Sequence, residues 1–143
     1  MEFYMLFKMK TKNDVIISTN VQYSQEKEQL RGFIDFYINS SLKFGIEFLR
    51  ENSKFVEHLN RFTNGGKYSN LFKSSNQLAC VNFILQSDHT KQTIDSNIKF
   101  YEENIEKYIV DSNKFSIFHI VYNEELSIFD IYESKDHKQR IEK

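Results

Sequence analysis

The chain lacks proline and tryptophan and contains a single cysteine, Cys80. One cysteine excludes an internal disulfide and any zinc site built from paired cysteines. No apolar run approaches the ~20 residues of a membrane-spanning helix. The first residues also lack the basic start, apolar run and cleavage site of a signal peptide. These absences predict a protein of a reducing compartment, and we expect a cytoplasmic location without membrane contact.

What the chain does contain is typical of a globular domain. Its 143 residues include 40% hydrophobic and 27% charged residues, with 14 Phe and 8 Tyr. A chain of this length can remove about two thirds of its unfolded surface from water, which is enough for one hydrophobic core. We therefore expect a single domain over residues 1–133, followed by a charged tail at residues 134–143 that frays.

Charge is distributed unevenly although the net charge is only −1. Residues 1–73 carry 11 basic and 8 acidic residues, whereas residues 74–143 carry 8 basic and 12 acidic residues. Between His58 and Ser87 there is no acidic residue. The two halves are therefore expected to offer surfaces of opposite charge to a partner.

The spacing of apolar residues predicts an α+β fold. Alternation with a period of two predicts strands, and recurrence every three to four residues predicts helices. Strands are predicted at residues 2–10, 15–19, 78–86, 115–122 and 126–133, and helices at residues 24–42, 44–62 and 88–109. For residues 44–62 two alternatives stay open, which are two helices with a break near Asn52 and Ser53 and a partly extended segment. The resulting order is β-β-α-α-β-α-β-β. We expect a mainly antiparallel sheet with the helices packed on one face.

Two adjacent glycines, Gly65 and Gly66, precede Lys67 in a manner that invites comparison with a phosphate-binding loop. Such a loop needs an earlier glycine, a Ser or Thr after the lysine, a strand before it and a helix after it. Tyr68 follows the lysine, and the glycines come after a predicted helix. We interpret the pair as a helix terminus with a left-handed glycine.

A nucleic-acid or nucleotide site is a second possibility for the same region. Basic and aromatic residues alternate there in a stretch without carboxylates, and such side chains can bind phosphates and stack on bases. The candidate residues are Arg61, Lys67, Tyr68 and Lys73. The competing interpretation buries Phe62 and Phe72 in the core and leaves the charges in solvent.

A small hydrolase is a third possibility, because four histidines are available. None of them pairs with another His or Cys at metal-ligand spacing, so we expect neither a metal nor a cofactor. A centre combining His89, His119 and Asp130 is conceivable, since catalytic groups often meet only in the fold. The simpler interpretation makes His119 a buried strand residue and Asp88 the cap of the long helix.

The function that the sequence favours is a non-enzymatic protein-interaction module of the inhibitor or immunity type. Aromatic side chains make good contact anchors, and the C-terminal half is acidic. The predicted partner-binding residues are Glu124, Glu125, Asp130 and Glu133. The partner's identity is left open. A homodimer is also expected to be possible, because the predicted hairpins leave strand edges exposed.

Overall fold

The computed structural model of the protein describes residues 17–25, 28–38, 43–133 and 137–142. These residues form one seven-stranded sheet. The strands β1 to β7 are Ile17–Gln25, Glu28–Ile38, Phe44–Arg50, Gln77–Leu85, Phe115–Tyr122, Ile128–Glu133 and His137–Glu142. The helices α1 to α3 are Phe55–Asn60, Leu71–Ser74 and Thr90–Tyr108, and Ser112–Lys114 forms a 3₁₀ turn.

The strands lie side by side in sequence order, and the sheet is mixed. The central pairs β3–β4 and β4–β5 are parallel, whereas β1–β2, β2–β3, β5–β6 and β6–β7 are antiparallel. The predicted α+β class is therefore confirmed. The prediction of a mainly antiparallel sheet is wrong, because two helical crossovers connect the three central strands in parallel, as parallel pairing requires.

The hydrophobic core lies between the sheet and the helices. Strand residues such as Leu78, Phe115 and Ile117 pack there with Phe55 and Tyr101 from the helices. A smaller cluster joins α3 to the ends of β4 and β5 through Ile84, Ile94 and Val121. We call the side of the sheet that these helices cover the helix face, and the other side the opposite face.

Part of the predicted element order is confirmed. β4 and β5 lie within one residue of their predicted limits, and α3 and β6 begin two residues later than predicted. β4 is the centre of the parallel trio, which agrees with its apolar residues on both faces.

The helix predicted at residues 24–42 is wrong, because the chain forms the β1–β2 hairpin there. The apolar spacing fitted a helix, but the local composition favours a strand. Gly32 lies inside the segment, and glycine is unfavourable in a helix. Phe33, Ile34, Phe36 and Ile38 are aromatic or β-branched residues, which fit a pleated sheet.

A single helix over residues 44–62 is also wrong, since β3 occupies its first part and α1 only residues 55–60. This agrees with the alternatives of a partly extended segment and a break near Asn52 and Ser53. Between the two elements Glu51, Asn52 and Lys54 have φ values of 51°, 56° and 53°. Left-handed conformations are disfavoured for residues with a Cβ and cannot continue a right-handed helix. The chain therefore turns sharply at the end of β3 and starts α1 on the helix face.

The outcome differs between the two ends of the chain. The predicted strand at residues 2–10 and the start of the strand at 15–19 lie outside the described residues. The charged residues that we expected to fray contribute β7, in which His137 pairs with Glu133 and Glu142 pairs with Ile128. Lysine and other charged residues are common on edge strands, where they discourage further pairing.

The glycine pair does not terminate a helix, because α1 ends at Asn60, several residues earlier. Gly65 does have the expected left-handed φ, 80°. Gly66 lies close to the end of α1, and a Cβ there would be 2.5 Å from the carbonyl oxygen of Asn60. The pair therefore forms a loop that folds back against α1.

Candidate functional site

The helix face contains a buried carboxylate at its centre, Glu47 of β3. Its neighbours along the strand are apolar, and its side chain is only 1% exposed. Alternation along β3 directs Glu47 to the same side as Gly45 and Leu49, beneath α1. An unpaired buried carboxylate would be very unfavourable, so its partners determine what this centre can do.

Three side chains from α1 and the following loop surround Glu47. Oε1 of Glu47 contacts Nδ1 of His58 at 2.7 Å and accepts a hydrogen bond from Nη1 of Arg61. Oε2 accepts a hydrogen bond from the Tyr68 hydroxyl at 2.8 Å. We call these four residues the Glu47 centre. Since Arg61 directly follows α1 and lies three positions after His58, the end of α1 presents both to the same oxygen.

Burial perturbs the ionisation of this centre. It raises the pKa of Glu47 to about 7, although the hydrogen bond from Tyr68 and the charge of Arg61 act to lower it. Burial, followed by the charge of Arg61, lowers the pKa of His58. A neutral imidazole next to a carboxylate that titrates near neutral pH is a typical proton-transfer arrangement.

A small cleft opens beside the Glu47 centre. It has a volume of about 210 Å³ and lies between α1 and the glycine loop. Its lining residues are Glu57, Asn60, Arg61, Gly65, Gly66 and Lys67. Arg61 therefore belongs both to the Glu47 centre and to the cleft wall.

A second polar network is buried near the carboxyl ends of the central strands. Asn82 Nδ2 lies 3.3 Å from His119 Nδ1 and donates to Asn52 Oδ1 at 3.1 Å. Asn97 of α3 donates to the same Asn52 oxygen at 2.6 Å. Burial lowers the pKa of His119 to about 4. The network joins the strand ends to α3, and burial keeps His119 neutral at neutral pH.

The opposite face of the sheet carries apolar side chains. Phe48 packs against Phe83, with ring centroids 5.6 Å apart, and both are half-buried. Among the described residues, the helices contribute to the core clusters of the helix face only. A groove of about 670 Å³ lies over the strand ends on the opposite face. Its lining residues are Phe48, Leu49, Arg50, Phe83, Tyr122, Leu126 and Phe129.

Leu126 at the edge of this groove is unusual in two respects. Its side chain is 52% exposed, and its φ of 53° places it in the left-handed region. Leucine gains nothing from solvent exposure, and a residue with a Cβ is disfavoured in this conformation. Strained residues of this kind are concentrated at functional sites.

The predicted acidic residues do not form one continuous surface. Glu124 and Glu125 are exposed in the turn between β5 and β6, next to Leu126. Asp130 is buried opposite Val121, which belongs to the core on the helix face, whereas Glu133 lies opposite Phe118 on the other side. Only the two turn residues adjoin the groove.

The predicted nucleic-acid residues are divided between the surface and the core. Lys67 and Lys73 are exposed, but Tyr68 is buried with its hydroxyl on Glu47. Phe62 and Phe72 are buried as well, and Phe62 packs against Tyr68 with ring centroids 5.0 Å apart. This part of the sequence therefore offers cations at the surface but keeps these three rings in the core.

The two histidines of the predicted hydrolase centre lie in different environments. His119 is buried on β5, whereas His89 is exposed at the start of α3. Asp88 is not the cap of α3, because the residue that precedes the helix is His89, which makes no capping bond. Cys80 is buried, and burial raises the pKa of its thiol, as expected for an inert core residue.

Sequence reasoning missed Glu47, His58 and the asparagine network. The one available signal was a carboxylate inside the apolar run Phe44–Arg50. A charged residue flanked by buried apolar residues needs a partner, but its partners lie 11 to 21 positions further along the chain. Their meeting depends on the crossover after β3.

Comparisons with family models, curated proteins and solved structures found no significant match. Among the described residues, no helix is long and apolar enough to cross a membrane. In the same part of the chain, no group of three or more His, Cys, Asp or Glu side chains is arranged to hold a metal ion.

Proposed function

We propose that the protein is a protein-binding module that receives a segment of its partner in the groove on the opposite face of the sheet. The observation that carries this proposal is Leu126, an exposed apolar residue in a left-handed conformation at the edge of an apolar groove. Neither its exposure nor its backbone conformation favours folding. Both are understandable if the side chain makes its contacts with a partner.

The parallel strands beneath the groove support the same conclusion. Parallel strands generally have both faces covered, because their side chains are apolar on both sides. On the opposite face Phe48 and Phe83, which line the groove, are half-buried instead of fully buried. A partner segment in the groove would complete their burial, and aromatic side chains of this kind are typical contact anchors.

Charge at the groove indicates the chemistry of the partner segment. Glu124 and Glu125 are exposed next to Leu126, while Arg50 lies exposed among the lining residues. Glu51 follows Arg50, and its carboxylate accepts hydrogen bonds from the Tyr122 hydroxyl at 2.8 Å and from the Leu85 amide. The acidic excess favours a segment that carries apolar anchors together with Lys or Arg.

The test is selection of peptides from a displayed random library on the immobilised full chain, followed by affinity measurement on variants. Leu126→Asn removes the apolar contact at a position where Asn tolerates the backbone conformation. We expect selected peptides to combine apolar residues with Lys or Arg, and to bind Leu126→Asn at least about tenfold more weakly, the loss of ~1.4 kcal/mol.

A matched control is Val56→Asn, because Val56 is 42% exposed on α1, on the other side of the sheet. Valine and asparagine have similar helix propensities, so this change removes an exposed apolar group without a contact in the groove. Peptides that bind both variants equally well would contradict the proposed site. Enrichment of acidic peptides would contradict the proposed partner chemistry.

A further inference from the structure

The chain contains one Asn-Gly dipeptide, Asn64-Gly65, in the glycine loop that follows α1. An asparagine side chain can react with the main-chain amide of the next residue, and glycine hinders this reaction least because it has no Cβ. Both residues are exposed, whereas Phe62 before them and Tyr68 after them are buried. Water therefore has access to the dipeptide.

Neither reacting group of this dipeptide is held by another part of the fold. Among the described residues, the Gly65 amide and the Asn64 side chain have no hydrogen-bond partner. The next amide is held, since Gly66 donates to the carbonyl oxygen of Thr63 at 2.9 Å. Apart from the adjacent residues, no atom lies within 4 Å of the position that a Cβ of Gly65 would occupy. The nitrogen of Gly65 therefore has room to approach the side chain before it.

Asn52 shows how the fold blocks the same reaction elsewhere. Ser53 follows it, and an Asn-Ser dipeptide is also reactive in unfolded chains. In this structure the Ser53 amide donates a main-chain hydrogen bond at 3.0 Å. Oδ1 of Asn52 accepts hydrogen bonds from Asn82 at 3.1 Å and from Asn97 at 2.6 Å. Both reacting groups are occupied, so Asn52 is an internal reference for Asn64.

We propose that Asn64 is a site of spontaneous deamidation, and that its conversion to isoaspartate opens the loop that supports the Glu47 centre. The Gly65 amide loses its proton to water, and its nitrogen forms a bond to Cγ of Asn64. The bond from Cγ to Nδ2 breaks, and Nδ2 takes up a proton and leaves as ammonia. Water then opens the cyclic imide, with its oxygen on the carbonyl carbon and a proton on the nitrogen. Opening at Cγ gives aspartate, and opening at the main-chain carbonyl carbon gives isoaspartate.

Isoaspartate adds a carbon to the main chain where the loop is tightly folded. The hydrogen bond from Gly66 to Thr63 closes a turn around the dipeptide, and Gly66 lies so close to the end of α1 that a Cβ would not fit. The same loop positions Tyr68, whose amide donates to Arg61 at 2.7 Å and whose hydroxyl donates to Glu47 at 2.8 Å. A longer main chain in this turn displaces the residues after it, and the support of Glu47 by Tyr68 weakens.

The first test incubates the folded full chain at mildly alkaline pH and maps its peptides by mass spectrometry. Asn64 should convert at least about tenfold faster than Asn52, a difference of ~1.4 kcal/mol in activation free energy. Unfolding in guanidinium chloride should bring the two rates closer, because Asn52 then loses its partners. Asn64→Gln is the matched control, since its longer side chain closes the ring far less readily. Equal rates for the two asparagines in the folded chain, or no conversion of Asn64, would overturn the proposal.

The second test separates the added carbon from the added charge. Asn64→Asp has the charge with a normal main chain, whereas the isoaspartate fraction, purified from the incubated wild type, has both. We expect the isoaspartate fraction to unfold at a lower denaturant concentration than Asn64→Asp, and its Gly66 and Tyr68 amides to exchange hydrogen faster. Equal unfolding midpoints or equal exchange rates would overturn the proposed opening of the loop. Neither result depends on peptide binding, because the groove lies on the opposite face of the sheet.

Discussion

The two faces of the sheet are built from alternating residues of the same strands, yet they treat polar groups in opposite ways. On the helix face Glu47, Asn82 and His119 are buried, and each has a side-chain partner. On the opposite face the half-buried side chains of the groove are mainly apolar, and charges stand at its end. The first arrangement fixes one structure, whereas the second leaves apolar side chains partly exposed.

Because of this difference, we expect mutations on the two faces to affect different properties of the protein. A polar change on the helix face should alter the free energy of unfolding, because a buried group left without its partner cannot be solvated. A change in the groove should alter binding with little effect on unfolding. Four predictions test this difference between the faces, in order of decreasing effect.

The largest effect is expected for Glu47→Ala. It would leave Arg61, His58 and Tyr68 without the acceptor that they share, so we expect a loss of about 3–5 kcal/mol in the free energy of unfolding. Urea denaturation followed by circular dichroism measures this. Glu57→Ala is the control, since Glu57 is exposed on α1, the helix that carries His58. Its removal should change the free energy of unfolding by less than about 0.5 kcal/mol. Similar losses for both variants would show that Glu47 does not organise this face.

The second effect is on the pH dependence of the free energy of unfolding. Glu47 and His119 on the helix face contribute to it with opposite signs. Burial raises the pKa of Glu47 from 4.5 to about 7, so its contribution to stability is complete below pH 4.5 and is lost as the pH rises to 7. Burial lowers the pKa of His119 from 6.5 to about 4, so its contribution is complete above pH 6.5 and is lost as the pH falls to 4. Each amounts to roughly 3 kcal/mol.

Removing one of the two groups should reveal the other. The variant His119→Gln lacks the group whose contribution to stability is lost at low pH. The contribution of Glu47 then dominates, so the free energy of unfolding should increase as the pH falls from 7 to 4.5. The wild type should change less over this range, because the two contributions oppose each other and the lowered pKa of His58 acts in the same direction as that of His119. Urea unfolding at several pH values measures both curves. Parallel curves for the two proteins would contradict this account.

The third effect concerns space on the helix face. A Cβ at Gly45 would lie 2.6 Å from Cδ2 of Leu78 and 2.7 Å from Cδ1 of Ile34, both fully buried. Gly45→Ala should therefore cost about 1–3 kcal/mol through overpacking. Val81→Ile adds a methyl group to the half-buried opposite face and should cost less than about 0.5 kcal/mol. Thermal unfolding compares them, and an equal cost would mean that both faces are packed alike.

The same comparison explains which parts of the fold the sequence could predict. β4, α3, β5 and β6 were found because each has a consistent period and a recognisable boundary. The segment that forms β2 has apolar residues at spacings compatible with both a helix and a strand. Its pairing with β1 and β3 depends on residues elsewhere in the chain. Tertiary contacts therefore decided between two locally acceptable structures.

The candidate sites were less predictable than the fold. The Glu47 centre joins a strand, a helix and a loop, and no spacing rule connects residues 47, 58, 61 and 68 in sequence. Arg61 and Tyr68 were identified for a different role, and the structure places both on Glu47. Of the predicted acidic residues, Glu124 and Glu125 lie next to the groove because they directly precede its lining residue Leu126 in the chain.

The smallest effect on stability, and the most informative for function, is expected at Leu126. Asn tolerates the left-handed conformation better than leucine does, so Leu126→Asn should increase the free energy of unfolding by a few tenths to about 1 kcal/mol. Leu126→Ala retains the unfavourable conformation and should not stabilise the chain, yet both variants should lose binding to peptides selected on the wild type. Chemical denaturation and peptide affinity, measured on both variants, separate the effect of Leu126 on stability from its effect on binding.

A stabilised chain that no longer binds would mean that the leucine is maintained at the expense of folding. A destabilised Leu126→Asn variant would instead place Leu126 in the packing of the fold, and the groove would lose its main support as a binding site.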